Sequence, residues 1–172
     1  GNFDRITSNY EDLKSILPRI LGSNLPSVLS KLGNVNIAGD VELTQKYINA
    51  NVTMLSQLGY LEGNLAMQNI NNIDNASYQG NIKLDAFDLG TLLSQNDIGK
   101  ASLDLDVDGK GFTQKLLNTA IKGKIEKFYY NGYNYQNITV DGSMKMPYYK
   151  GYFNSNDPNL KMDFDGTIDL SL

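Results

Sequence analysis

Two periods of apolar residues divide the chain at about Gly33. Before that point Leu13, Ile16, Leu17, Ile20 and Leu21 recur at helical spacing. Ser8 and Glu11 fit a capping box, in which each side chain satisfies the other's free backbone N–H, so the pattern predicts a helix from near Ser8. Pro18 has no N–H and should kink or end it. Gly22 to Pro26 reads as a break before a second short helix with Val28, Leu29 and Leu32 inward, closed by Gly33. Residues 1–33 are thus expected to be a helical segment, and residues 34–172 a β-rich one.

After Gly33 the period is two, and one device recurs: an apolar residue, a spacer, a glycine, a spacer, then apolar residues again. It is seen in Ile37, Gly39, Val41 and Leu43; in Leu61, Gly63, Leu65 and Met67; and in Tyr78, Gly80, Ile82 and Leu84. It returns in Ile121, Gly123 and Ile125; in Ile138, Val140, Gly142, Met144 and Met146; in Tyr149, Gly151 and Phe153; and in Met162, Phe164, Gly166, Ile168 and Leu170. Two further strands alternate without a central glycine, through Ile48, Ala50, Val52 and Met54, and through Leu103, Leu105 and Val107. The spacers are polar, so one face of each strand meets water, as in an antiparallel sheet. Clusters at Asn69 to Asn75, Asn131-Gly132 and Asn154 to Pro158 supply turns. Asp88 to Ser94, with Leu89, Leu92 and Leu93, reads as a short helix between strands that could shield one edge.

About nine strands of about seven paired residues give one apolar face on the order of 1,000 Å². A monomer rarely exposes so much, so the face either closes on itself as a β-sandwich or meets a ligand. Glycines near mid-strand weaken a close-packed core yet let a strand bend sharply. Repeated from strand to strand, they would let a long sheet curl into a gutter with apolar walls. The expected lining is Ile37, Val41, Val52, Leu65, Ile82, Leu84, Leu105, Ile125, Val140, Met144, Phe164 and Ile168. Such a wall suits an acyl chain, because each methylene moved into water costs about 0.8 kcal/mol, or roughly 12 kcal/mol for a ~16-carbon chain.

Composition removes most competing chemistry. The chain of 172 residues has no His, Cys or Trp, which excludes thiol nucleophiles, imidazole relays, disulfides and zinc sites built on sulfur or imidazole. Its net charge of -4 offers no basic field for a phosphate backbone, so no nucleic acid partner is expected. Asp and Glu occupy spacer positions rather than an isolated buried pair, so the chain reads as non-enzymatic, with no catalytic residue and no cofactor. Asp104, Asp106, Asp108 and Gly109 imitate the start of a calcium loop, but the twelfth position is Lys115 where a bidentate Glu is required. No metal is therefore expected. The aromatics between Phe128 and Phe153 suggest a sugar-stacking surface, or simply pairing across neighbouring strands. A transmembrane barrel would place aromatics at both ends of its strands, whereas here they are concentrated in that one stretch. No apolar run approaches the length of a membrane-crossing helix, and the alternation still running at Thr167 to Leu172 reads as that of an excised fragment.

Several stretches resemble the TamB proteins of Bacteroidota, within the wider AsmA-like superfamily. They are Glu11-Asp12-Leu13-Lys14-Ser15-Ile16-Leu17-Pro18, Leu25-Pro26, and Leu32-Gly33-Asn34-Val35-Asn36-Ile37-Ala38-Gly39-Asp40-Val41, with Asp106 to Phe112 and Asp163 to Leu170 further on. The resemblance implies a mainly β fold: a long curled antiparallel sheet forming a taco-like apolar groove, with short N-terminal helices capping or filling it. It implies a periplasmic section of a parent anchored in the inner membrane and working with a TamA-like outer-membrane barrel. That parent would carry phospholipid or another acyl-chain lipid between the membranes, or assist outer-membrane protein assembly. The alternative expectation is a closed β-sandwich that binds carbohydrate or protein.

Overall fold

Alternating apolar and polar side chains satisfy a pleated strand with one dry face and one wet face, and that demand organises most of the described residues. The computed structural model describes residues 2–8, 27–44, 46–70, 72, 75–111 and 118–171. The strands are β1 (Asn2–Ser8), β2 (Val35–Leu43), β3 (Tyr47–Ser56), β4 (Gly59–Gln68) and β5 (Ser77–Asp88), then β6 (Ile98–Lys110), β7 (Asn118–Tyr130), β8 (Tyr133–Lys145), β9 (Tyr148–Asn156) and β10 (Lys161–Asp169). All ten lie in one antiparallel sheet in sequence order, a meander that does not close into a barrel. The protein is mainly β, and a second sheet facing the first is absent among the described residues.

The period-two reading began the sheet after Gly33, whereas the structure adds β1, which pairs with β2 from Asn2 opposite Asp40 to Ser8 opposite Val35. The helix expected from Ser8 falls on residues 9–26, outside the described residues. Its short successor is a 3₁₀ helix, Ser27–Leu32, ended by Gly33 at φ +65°. The Asn131-Gly132 turn forms as expected, with φ +46° and +86° joining Tyr130 to its partner Tyr133, the conformation that matches the twist of a two-residue hairpin.

The turn expected at Asn154 to Pro158 sits later, because β9 runs on to Asn156. Asp157, fully buried, organises it. Its carboxylate accepts from the Tyr133 hydroxyl at 2.9 Å, Asn159 N–H at 2.8 Å and Gln136 N–H at 3.0 Å, so one side chain ties the β9–β10 turn to the start of β8. Burial alone would raise its pKa, but these donors outweigh it and hold the carboxyl below the usual range.

The core lies at one margin of the apolar face. A register shift between Leu84 and Phe87, with Ala86 at φ +46°, bulges β5 so that Phe87 turns inward at 1% exposure. Leu32, Val35, Leu58 and Leu84 complete the buried cluster, and Leu89 and Leu92 of α1 (Leu89–Leu93) pack on it. Asp88 caps α1, its carboxylate accepting from Thr91 N–H at 2.9 Å and from the Thr91 hydroxyl at 2.8 Å. At the other end Lys31 donates to the carbonyls of Thr91 at 2.8 Å and Leu92 at 3.2 Å and to the Ser94 hydroxyl, latching the 3₁₀ helix to α1.

Two glycines show opposite uses. Gly80 has φ +149°, and an added Cβ would fall on the carbonyl oxygen of Asn64 in the neighbouring strand. Gly63 carries no such constraint: an added Cβ would find only Leu61 and Leu65 side-chain carbons, at 3.8 and 4.0 Å. In urea titration, Gly80→Ala should lose about 1–3 kcal/mol through backbone strain. Gly63→Ala should be neutral or gain about 0.4–1 kcal/mol by stiffening the unfolded chain. Equal effects of the two would contradict this geometry. A second expectation follows from Asp157. Because its folded pKa is depressed, its contribution is fully present above the unfolded value of about 3.9 and is lost as pH falls through the folded one. Asp157→Asn should therefore be less stable than the wild type at pH 7, with the difference narrowing through the acid limb of a stability profile.

Candidate functional site

The register gathers the apolar positions of successive strands into lines that cross the sheet. One runs through Gly39, Val52, Gly63, Ile82, Leu105, Gly123, Val140, Phe153 and Phe164. The next runs through Val41, Ala50, Leu65, Gly80, Val107, Ile121, Gly142, Gly151 and Gly166. Within both lines a glycine usually faces a branched side chain across the strand pair: Gly63 meets Val52 and Ile82, Gly80 meets Leu65 and Val107, and Gly123 meets Leu105 and Val140. Toward β10 aromatic rings fill the spaces instead, since a Cβ on Gly142 would meet the Tyr149 ring and one on Gly166 the Phe164 ring.

Ten of the expected lining residues, Ile37, Val41, Val52, Leu65, Ile82, Leu105, Ile125, Met144, Phe164 and Ile168, are half-buried. Their strand neighbours cover them in part, and no second layer of described residues covers the face beyond the α1 margin. Leu84 and Val140 are buried: Leu84 belongs to the core under α1, and Val140 stands between Gly123 and Phe153.

Around Gly80 the face dips into a hollow of about 310 Å³, lined by Leu65, Met67, Tyr78, Ile82, Val107, Thr119, Ile121 and Met144. Leu65 and Val107 are the cross-strand partners of Gly80, and Tyr78 and Thr119 those of Gly109. Only Leu65, Ile82 and Met144 of these walls belong to the expected lining. Met67, Tyr78, Val107, Thr119 and Ile121 join because the register brings them around the two glycines, a relation between strands that alternation within one strand does not carry. The polar atoms at this hollow satisfy each other: the Tyr78 hydroxyl reaches past Gly109 to hydrogen-bond with Thr119 Oγ1. The wall therefore offers a bound molecule mainly contact with carbon.

The opposite face is charged. A wider concavity there, about 530 Å³, is bordered by Asn64, Gln79, Asn81, Asp106, Asp108, Lys122 and Asp141. Asn81 donates to Asp104 at 2.8 Å and Asp106 at 3.0 Å, and Lys122 pairs with Asp141 at 2.7 Å with both side chains exposed. The bond to Asp141, helped by the charges of Asp141 and Asp106, raises the Lys122 pKa. Asp104, Asp106 and Asp108, which imitate a calcium loop in sequence, lie in extended β6.

The aromatics between Phe128 and Phe153 do not make one surface. Phe128 stacks with Tyr130 at 6.3 Å, and Tyr133 meets Tyr135 edge-on at 4.8 Å, at the β7–β8 hairpin. In β9, Tyr148 is half exposed while its neighbour Tyr149 turns the other way and is buried over Gly142.

Comparison with known protein families, with curated proteins and with solved structures finds no match. The likeness to TamB proteins thus rests on the residues quoted above.

The hydroxyl pair gives a direct check on the hollow. Thr119 is 6% exposed, so Tyr78→Phe leaves its buried hydroxyl without this partner and should cost about 1–3 kcal/mol. Adding Thr119→Val should recover part of that loss. Additive penalties in the double-mutant cycle would show that the two hydroxyls are not coupled.

Proposed function

We propose that the apolar face holds the acyl chains of a lipid, and that this chain is a section of a periplasmic groove protein that carries phospholipid between inner and outer membranes, assists outer-membrane protein assembly, or does both. One observation carries the reading: half-exposed aliphatic side chains, interspersed with glycines, stand in lines across the sheet, without a second layer over them among the described residues. Bending along the glycine positions would turn this wall into a gutter that keeps tails against Ile, Leu, Val, Met and Phe while a headgroup stays in water. Movement would then be sliding along a wall of near-uniform chemistry, which requires neither a catalytic residue nor a cofactor. The resemblance to TamB proteins supports the periplasmic compartment and the two membranes as the ends of the path, with a TamA-like barrel and an inner-membrane anchor belonging to the parent protein.

Native mass spectrometry of detergent-free protein, followed by solvent extraction, should find phospholipid bound to the folded chain. A fluorescent fatty acid should bind in competition with it. Leu105→Asp with Phe164→Asp, both half-exposed on the apolar face, should weaken the probe about tenfold or more, equivalent to losing roughly two buried methylenes, with circular dichroism unchanged. A folded wild type that carries no lipid and binds no probe would sink the proposal.

A further inference from the structure

The apolar hollow differs at its two ends. Along the strands toward α1 its wall continues through Ile82 into Leu84 and Phe87 of the closed core. In the other direction the first polar groups are the hydroxyls of Tyr78 and Thr119, which bond to each other. One residue further, on the last rung of the ladder, stand Ser77, Lys110, Asn118 and Lys145 of four neighbouring strands. Carbon gives way to hydroxyl and then to cation within the last few residues of each strand.

Lys110 and Lys145 flank Asn118 from either side, two strands or about 10 Å apart. Both are exposed, and neither is paired with a carboxylate among the described residues. The interior of the wet face is different: Lys83 and Lys124 stand opposite Asp104, and Lys122 stands opposite Asp106 and Asp141. At the rim the cross-strand neighbours of Lys110 are Ser77 and Asn118, and those of Lys145 are Asn118 and Tyr148. The carboxylates nearest in the register have other company. Asp108, two residues from Lys110 on the same face, is also diagonal to Lys122. Asp169, beyond Tyr148, accepts from the Ser171 N–H at 2.9 Å and from its hydroxyl at 2.6 Å. A lysine at a strand end can carry its ammonium past the end of the sheet on a flexible four-carbon stem, so an anion at the mouth of the hollow is within its reach.

We propose that the occupant of the hollow is a phospholipid whose head carries net negative charge, held with its tail toward α1 and its phosphate between Lys110 and Lys145. The inference rests on the lipid reading and adds to it a head-group class and an orientation for the bound molecule. Charge complementarity supplies the selection. Two ammonium groups without carboxylate partners favour an anion, and they gain little from a head whose own cation cancels its phosphate. The Asn118 side chain adds an N–H donor between them. Asp104, Asp106 and Asp108 repel the same head from the interior of the wet face, which leaves the rim as its place.

The test is displacement of an uncharged fluorescent monoacylglycerol from the full chain by two lipids with the same acyl chain. Lysophosphatidylglycerol has a net negative head, and lysophosphatidylcholine has one whose charges cancel. The first should bind about tenfold more tightly, and the ratio should shrink as salt rises. Lys110→Glu with Lys145→Glu should bring the two lipids to parity, whereas Lys110→Arg with Lys145→Arg should keep the preference. Lys83→Glu with Lys124→Glu alters net charge by the same amount on the same face and should also keep most of it. Equal binding of both lipids by the wild type would overturn the proposal and leave the lipid reading standing. So would a ratio that falls as far in the Lys83 and Lys124 variant as in the rim variant. A folded chain that binds neither lipid nor the reporter would remove the lipid reading, and this inference with it.

Discussion

Everything in this sheet depends on where residues without side chains stand relative to large ones in the next strand. Gly63 stands opposite Val52 and Ile82, and Gly123 stands opposite Leu105 and Val140, at a φ of +149° where an added Cβ would fall on the Asp104 carbonyl. A one-residue slip would bring the polar spacers onto the dry face and set aspartates among aliphatics. At Gly80 the backbone approaches its neighbour so closely that only glycine fits, so the register there is held by geometry as well as by hydrophobic burial.

This arrangement divides the apolar face into a closed margin and an open expanse. The bulge at Ala86 brings Phe87 under α1 and the 3₁₀ helix, where Leu32, Val35 and Leu58 make a small dry core and Lys31 holds the cover in place. Across the remaining rows no second layer is present among the described residues, and the hollow lined by Leu65, Val107 and Ile121 lies there. The same residues that make the sheet possible therefore leave an apolar surface, which is the physical content of the proposed lipid reading.

The wet face follows a separate logic. Aspartates of β6 alternate with lysines of β5 and β7, and Lys122 stands between Asp106 and Asp141, so charge is balanced strand by strand rather than in isolated pairs. Exposed pairs of this kind contribute little stability each, but they penalise wrong partners and wrong registers. In β10 the aspartates follow Lys161 on the same face, and Lys150 of β9, opposite Thr167, stands diagonal to Asp165 and Asp169.

The fold class, the strands after Gly33, the capped helix at Asp88 and the Asn131-Gly132 hairpin were legible in the chain, because period, turn chemistry and capping act over a few neighbouring residues. The face on which Ile37, Val52, Ile82, Leu105 and Phe164 lie was legible for the same reason. Other features were settled only by tertiary structure: β1 beside β2, the inward turn of Phe87, the role of buried Asp157, and the gathering of Met67, Tyr78, Val107, Thr119 and Ile121 around Gly80 and Gly109. Each depends on which residue of one strand stands opposite which residue of another, or on a bulge that reverses alternation. Periodicity within a strand says which side a residue faces, and pairing between strands decides what it meets there.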